Sequence, residues 1–178
     1  LYVDEAHAIG VRGQQGLGCA EQYGVIDAID FLVGTFGKAV ASVGGYLICD
    51  PIIRDYLINR MRPLIFSTAQ PPICIAWTQF MLNQIVHMQA QRQHLAALSL
   101  YMQQGIQAKG FACPSTSQIV PVIIGDSTAT VSKARQLQTA GFYVMPVRPP
   151  TVPQGSSRLR ICLNTQFETT DLAPLLSM

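Results

Sequence analysis

Ile29-Asp30-Phe31-Leu32-Val33-Gly34-Thr35-Phe36-Gly37-Lys38-Ala39 runs from an apolar segment into a turn with two glycines and one lysine. Ser42-Val43-Gly44-Gly45 and a second apolar run, Tyr46 to Cys49, follow. Runs without polar alternation, bounded by turn residues, predict strands covered on both faces. Ile29–Gly34 and Gly44–Cys49 are therefore expected to be buried strands with Lys38 enclosed between them. An ammonium is strongly hydrated, and a lysine held in such a place loses its proton readily, which suits it to forming a Schiff base. The hexapeptide Gly34–Ala39 alone also reads as a surface lysine in a turn.

The residues upstream narrow the choice. Leu1-Tyr2-Val3 ends a strand, and Asp4-Glu5-Ala6-His7 follows at once. A carboxylate at one strand end, a histidine three residues on and a lysine after the next strand suit pyridoxal 5'-phosphate. That cofactor needs an amine for its aldehyde, a carboxylate to keep its pyridine nitrogen protonated, and donors for its phosphate. Thr35, Ser67 and Thr68 are candidate donors, because hydroxyls and backbone N–H groups in small-residue turns hold dianions. Asp-Glu-Ala-His is also the name of a helicase ATPase motif. Such a protein would add a Ser-Ala-Thr element and strongly basic segments, and neither occurs here.

Four ordered motifs carry a resemblance: Asp4-Glu5-Ala6-His7, Thr35-Phe36-Gly37-Lys38, Phe66-Ser67-Thr68-Ala69 and Arg158-Leu159-Arg160. Together they resemble the α-oxoamine synthases, fold type I enzymes that use pyridoxal 5'-phosphate to condense an amino acid with an acyl-CoA. Ser117 to Asp126 and Val147 to Pro153 are similar to the members that take alanine and a pimeloyl thioester. Sister synthases that make aminoketobutyrate, aminolevulinate or a sphingoid base remain open, as does a non-catalytic partner subunit. The resemblance implies that Lys38 carries the cofactor and serves as base, and that Asp4 faces the pyridine nitrogen. It also implies that His7 bonds the ring hydroxyl and that Arg160 binds the amino acid's carboxylate. Ser67 and Thr68 would reach the phosphate of a neighbouring subunit, making the active site a property of a homodimer. Arg158 and Arg160 are assigned to opposite sides of their strand, so that only Arg160 enters the cleft.

Composition excludes other classes. The chain has 178 residues, 49% hydrophobic and 12% charged, with a net charge of +2. That balance favours burial and argues against a nucleic-acid footprint. The five cysteines are scattered and odd in number, which suits reduced residues of a cytoplasmic protein better than a disulfide framework. No apolar run is long enough to span a bilayer. His87 and His94, seven apart on an expected helix, sit roughly 10 Å from each other, too far to share a metal ion. The chain opens inside a strand without an initiator methionine and is expected to be the C-terminal half of a longer enzyme, inactive alone.

The expected class is α/β: part of a large fold type I domain over residues 1–90 and a small C-terminal α/β domain over residues 91–178. Gly10, Gly13, Gly16 and Gly18 mark turns in a loop after the first strand. Asp50-Pro51 predicts an N-capped helix to Arg60, with Ile53, Leu57 and Ile58 inward. Leu64–Phe66 is expected to be extended. Pro71-Pro72 opens a continuous helical region to Gly105 that carries the chain from one domain to the next. Strands are expected at Gln118–Ile124, Phe142–Met145 and Ser157–Leu163. Helices are expected from Asp126 or Ser127 to Thr139 and from Thr169, with Pro146–Pro153 an irregular loop.

Overall fold

The apolar runs do pair, and the pairing sets the architecture. A computed structural model describes residues 1–178. They divide into two compact units, Leu1–Arg92 and Gln93–Met178.

In the first unit, β1 (Tyr2–Asp4) pairs in parallel with β2 (Phe31–Thr35), and β2 pairs antiparallel with β3 (Gly45–Cys49). The strand order is β1-β2-β3. Between β1 and β2 lie the glycine loop, the short helix α1 (Cys19–Gln22) and a 3-10 turn at Ile26–Ala28. Gly10, Gly13, Gly16 and Gly18 all have left-handed φ values, as turn points require. The expectation of two fully buried strands fails. Leu32 alone of β2 is buried, and Leu47 and Ile48 of β3 are exposed. A strand is buried on both faces only where other layers pack on both sides of its sheet, and the exposure of Leu47 and Ile48 shows that β3 lacks that cover in this chain.

Helix α2 (Pro51–Arg60) starts as expected, with the Asp50 carboxylate accepting from the Ile52 N–H at 2.8 Å. Ile53 and Leu57 are half-buried, but Ile58 is exposed rather than inward. Leu64 and Ile65 belong to a single helical turn, α3 (Arg62–Ile65), not to an extended piece. Pro63 in its first turn presets a helical φ. The long helical region is broken into α4 (Pro72–Ile85) and α5 (Gln89–Ala108). Its break, Val86-His87-Met88, places His87 in a turn rather than in a helix. The buried guanidinium of Arg92 donates to the Ile85 and Val86 carbonyls there, taking over acceptors that helix N–H groups would otherwise serve. The boundary between the two units falls inside α5. Ile9, Val40 and Ile85 form the core of the first unit, with Phe36, Tyr46, Met81, Leu82 and Met88 packed against it.

The second unit is an antiparallel sheet ordered β4-β6-β5, with α6 packed on all three strands. Its strands are β4 (Ile119–Gly125), β5 (Met145–Val147) and β6 (Ser157–Cys162). Leu95, Leu98 and Met102 of α5 are buried, as their helical spacing predicts. Helix α6 (Ser127–Thr139) is capped by Asp126, which accepts from the Ala129 N–H at 2.7 Å. Helix α7 (Thr169–Ser177) opens with a capping box between Glu168 and Asp171. β5 begins three residues and ends two residues later than the expected Phe142–Met145, taking in Pro146 and Val147 from the expected irregular loop. A proline is tolerated because β5 is an edge strand with one partner, and an edge strand can lack a ladder donor.

Candidate functional site

Parallel strands point the same way, so whatever follows them emerges at the same end of the sheet. Asp4 ends β1 in register with Val33, and Thr35 ends β2 two residues later. The Asp4–His7 turn and the Thr35–Gly44 turn therefore leave the sheet together. In open α/β sheets this carboxyl end is where ligands sit.

Each turn is held by its own hydrogen bonds. The Asp4 carboxylate accepts from the Ala6 N–H at 2.8 Å. The Glu5 carbonyl accepts from Ala8 and Ile9 at 2.8 and 2.9 Å, closing a turn on which His7 is exposed. In the second turn, Phe36 N–H donates to the Gly44 carbonyl, Ser42 N–H to Phe36 and Ala41 N–H to Lys38. Val40 is wholly buried against Ile9 and Ile85, which leaves Lys38 on the outside of the bend. Ala41 adopts a left-handed φ of 52°, a conformation that costs a side-chain-bearing residue roughly 1–2 kcal/mol. Trp77 Nε1–H to the Ala41 carbonyl at 2.8 Å and the Ser42–Thr78 hydroxyl pair at 2.6 Å hold it there. Sequence reading missed Val40, Ala41 and Trp77; a left-handed alanine leaves no signal in a sequence.

Lys38 is exposed, not enclosed between buried strands as its sequence setting suggests. It takes part in none of the ion pairs Leu1–Asp30, Arg54–Asp55 and His94–Glu168. The Thr35 hydroxyl donates to the Gly44 carbonyl at 3.0 Å and accepts from the Gly37 N–H at 3.2 Å. Its single proton is thus committed to shaping the lysine turn, and donating to a phosphate would require it to leave Gly44. The Ser67 hydroxyl likewise donates to the Leu64 carbonyl at 2.9 Å. Both Ser67 and Thr68 are exposed.

Tyr46 was not singled out from sequence. It lies opposite Gly34 across β2 and β3, with its ring 5.5 Å from that of Phe36. A Cβ on Gly34 would come within 2.4 Å of the Tyr46 hydroxyl, so only glycine lets the ring cross β2 there. Burial pushes the phenol pKa up, and the charges of Glu5 and then Asp4 add to the rise.

In the second unit, Arg158 and Arg160 share one face of β6, which corrects their assignment to opposite sides. Side chains alternate along a strand, so residues two apart point the same way. Ser157, Leu159 and Ile161 take the buried face, and both arginines are half-buried on the other. β6 is the central strand, and Arg160 is paired with Pro121 on one side and Met145 on the other. Arg158 Nε donates to the Ser156 carbonyl at 3.0 Å, whereas Arg160 Nε is buried without a partner. A buried cationic donor left open suits an anionic ligand such as a carboxylate.

Residues 1–176 match the family Aminotransferase class I and II, and the chain belongs to that family. An 8-amino-7-oxononanoate synthase of Haemophilus ducreyi is 50% identical over 178 residues, 99% of this chain and 46% of that protein. A relative in Pasteurella multocida, bearing the same name provisionally, is 56% identical over 173 residues, 97% of this chain and 45% of its own length. Among solved structures, a serine palmitoyltransferase variant from S. paucimobilis with a bound PLP–myriocin aldimine superposes with a TM-score of 0.92 at 29% identity, over 99% of this chain and 45% of that one. The chain thus spans somewhat less than half the length of these relatives. Pyridoxal phosphate is the cofactor of this family, and the first unit brings an exposed amine and a carboxylate to one sheet end.

Proposed function

We infer that the chain is the C-terminal part of a pyridoxal-phosphate-dependent acyltransferase. It would join L-alanine to a pimeloyl thioester, release CoA and CO2, and give 8-amino-7-oxononanoate for biotin synthesis. One observation carries the reading: the parallel pairing of β1 with β2 brings Asp4 and the Lys38 turn to the same end of one sheet. Relatives at 50% and higher identity that bear the name 8-amino-7-oxononanoate synthase support the reading.

Residues 1–90 would form the C-terminal part of the cofactor domain and residues 91–178 the small domain. When bound, the cofactor supplies an electron sink for the bond cleaved at the amino acid's Cα. Lys38 would hold it through Nζ, and its free amine would be the base for the Cα proton. The Asp4 carboxylate would keep the pyridine nitrogen protonated, and His7 would bond the ring hydroxyl. Thr35 shapes the turn that presents Lys38. Ser67 and Thr68, on a fully exposed segment, would serve the phosphate of a second subunit in a homodimer. Arg160 holds the alanine carboxylate. The protein would be cytoplasmic; no helix is long and apolar enough to cross a membrane.

A sister activity is the second reading, favoured by the fit to serine palmitoyltransferase. Two measurements on the full-length parent separate the possibilities. Lys38→Ala should lower turnover by roughly a thousandfold or more, about 4 kcal/mol, and should prevent borohydride from fixing the cofactor to the protein. A reducible adduct that survives in this variant removes Lys38 from its role. With alanine saturating, pimeloyl-CoA should exceed both acetyl-CoA and palmitoyl-CoA in kcat/KM by at least about tenfold, or about 1.4 kcal/mol. A smaller preference discards the biotin assignment and leaves the wider family reading intact.

A further inference from the structure

Glu5 lies between Asp4 and His7, yet none of the roles above uses it. It is only 1% exposed, the most deeply buried charged residue of the chain. We propose that Glu5 is a positioning residue that fixes Asp4 and His7 at the carboxyl end of β1; this rests on the cofactor reading just given.

The backbone of Glu5 is tied on both sides. Its N–H donates to the Val33 carbonyl at 2.7 Å, extending the β1–β2 ladder one residue past Asp4. Its carbonyl accepts from Ala8 and Ile9, closing the turn that carries His7. The side chain then anchors the residue to a distant part of the unit. Oε2 accepts from the Cys19 N–H at 2.9 Å, and Oε1 from the Ala20 N–H at 2.6 Å. These are the first N–H groups of α1, a helix whose own N-cap, Gly18, makes no side-chain bond. Bonds from backbone N–H groups to an ionised carboxylate are stronger than neutral ones, and a buried pair resists competition from water.

The neighbouring chain is shaped around this carboxylate. Gly18 has a φ of +109°, and a Cβ there would lie 2.7–2.9 Å from the Glu5 carboxyl atoms. No other residue type fits at that position while Glu5 keeps its place. Asp4 and His7 themselves are exposed. Glu5 therefore ties the segment to α1, and the two candidate site residues lie on the backbone on either side of it.

The full-length parent tests this with Glu5→Gln, which keeps the volume but turns one acceptor into a donor facing a backbone N–H. In the protein without cofactor, the Ile9, Cys19 and Ala20 amides should exchange hydrogen at least tenfold faster. With cofactor bound, the pH profile of its visible absorbance should move toward that of Asp4→Asn. Turnover should fall at least tenfold while KM for the amino acid stays within about threefold. Faster exchange at Cys19 and Ala20 with an unchanged absorbance profile would overturn the proposal, because Glu5 would then order α1 alone. Should Glu5→Gln fail to fold, Gly18→Ala displaces the carboxylate without removing it and should give the same spectral change; a wild-type profile there is equally fatal. Absence of any visible cofactor band in the wild-type parent would instead defeat the cofactor reading. The exchange at Ala8 and Ile9 in the two variants would still decide whether Glu5 holds the turn.

Discussion

Leu1–Arg92 and Gln93–Met178 are nearly equal in length, yet they differ sharply in what they bury. Of the twenty buried apolar residues, fourteen lie in the second unit and six in the first. Large exposed apolar side chains run the other way, twenty-one in the first unit against five in the second. The second unit closes its own core: Val120 and Val122 of β4 face the same way as Leu159 and Ile161 of β6, and all four are buried. The first unit leaves Ile48, Tyr56, Ile75, Trp77 and Phe80 in solvent, and a groove of about 700 Å³ stays open beside Val33 and Leu57. A soluble protein rarely leaves so much apolar surface bare unless another surface covers it. The contrast teaches that amphipathic pattern predicts packing only where the partner is present. The candidate cofactor residues all lie on the unit that does not cover itself, and the candidate substrate residue Arg160 lies on the other.

The largest test of this contrast is to separate the units. Residues 93–178 alone should melt cooperatively, whereas residues 1–92 alone should give no sharp thermal transition and should bind a hydrophobic dye. Equal cooperativity in the two pieces would erase the difference. The next test compares single residues. Leu98→Ala should cost about 2–5 kcal/mol in the chain, because a buried leucine leaves a cavity. Phe80→Ala, at 51% exposure, should cost no more than about 0.5 kcal/mol there. In the full-length parent the same Phe80→Ala should cost at least about 2 kcal/mol if the outer face of α4 is covered. A cost that does not change between chain and parent means that α4 faces water in both.

The smallest effect concerns pH, and it belongs to the part of the first unit that is packed. The Tyr46 phenol is raised above its ordinary value of 10.0 by burial, then by Glu5 and Asp4. The folded state therefore holds this proton more tightly than the unfolded state. The stability it contributes is complete below pH 10 and is lost as pH rises through the folded value. Tyr46→Phe should consequently lose less stability than wild type as pH rises above about 10. Parallel loss in the two proteins would show that the phenol does not sense folding. Cys19 follows the same sign: burial, then Glu5, raises its thiol from 9.0. Only the thiolate is nucleophilic, so Cys19 should be alkylated more slowly than the exposed Cys162 near pH ~8.

Several features were legible because their physics is local. Asp50-Pro51 and Asp126 start helices through a side chain that reaches two or three residues ahead. Leu95, Leu98 and Met102 share a helix face through spacing alone. The common face of Arg158 and Arg160 was equally available from the period of a strand; opposite faces would need an odd separation. Leu64-Ile65-Phe66 misleads for a different reason, since an apolar run of that length is compatible with strand or helix until a partner is found.

What the amino-acid sequence determined by itself is the α/β class, the capped helices, the turn glycines and the family motifs. Each depends on residues a few positions apart, where chain geometry leaves little choice. Tertiary structure decided the rest. Glu5 meets Cys19 and Ala20 across fourteen and fifteen residues, and Arg92 meets the carbonyl of Gln14 across 78. Asp4 and Lys38 share a sheet end only because β1 and β2 run parallel with Asp4 opposite Val33. Partners so far apart have no fixed separation in an unfolded chain. Their meeting is set by the free energy of the whole packed unit, and no local pattern encodes it.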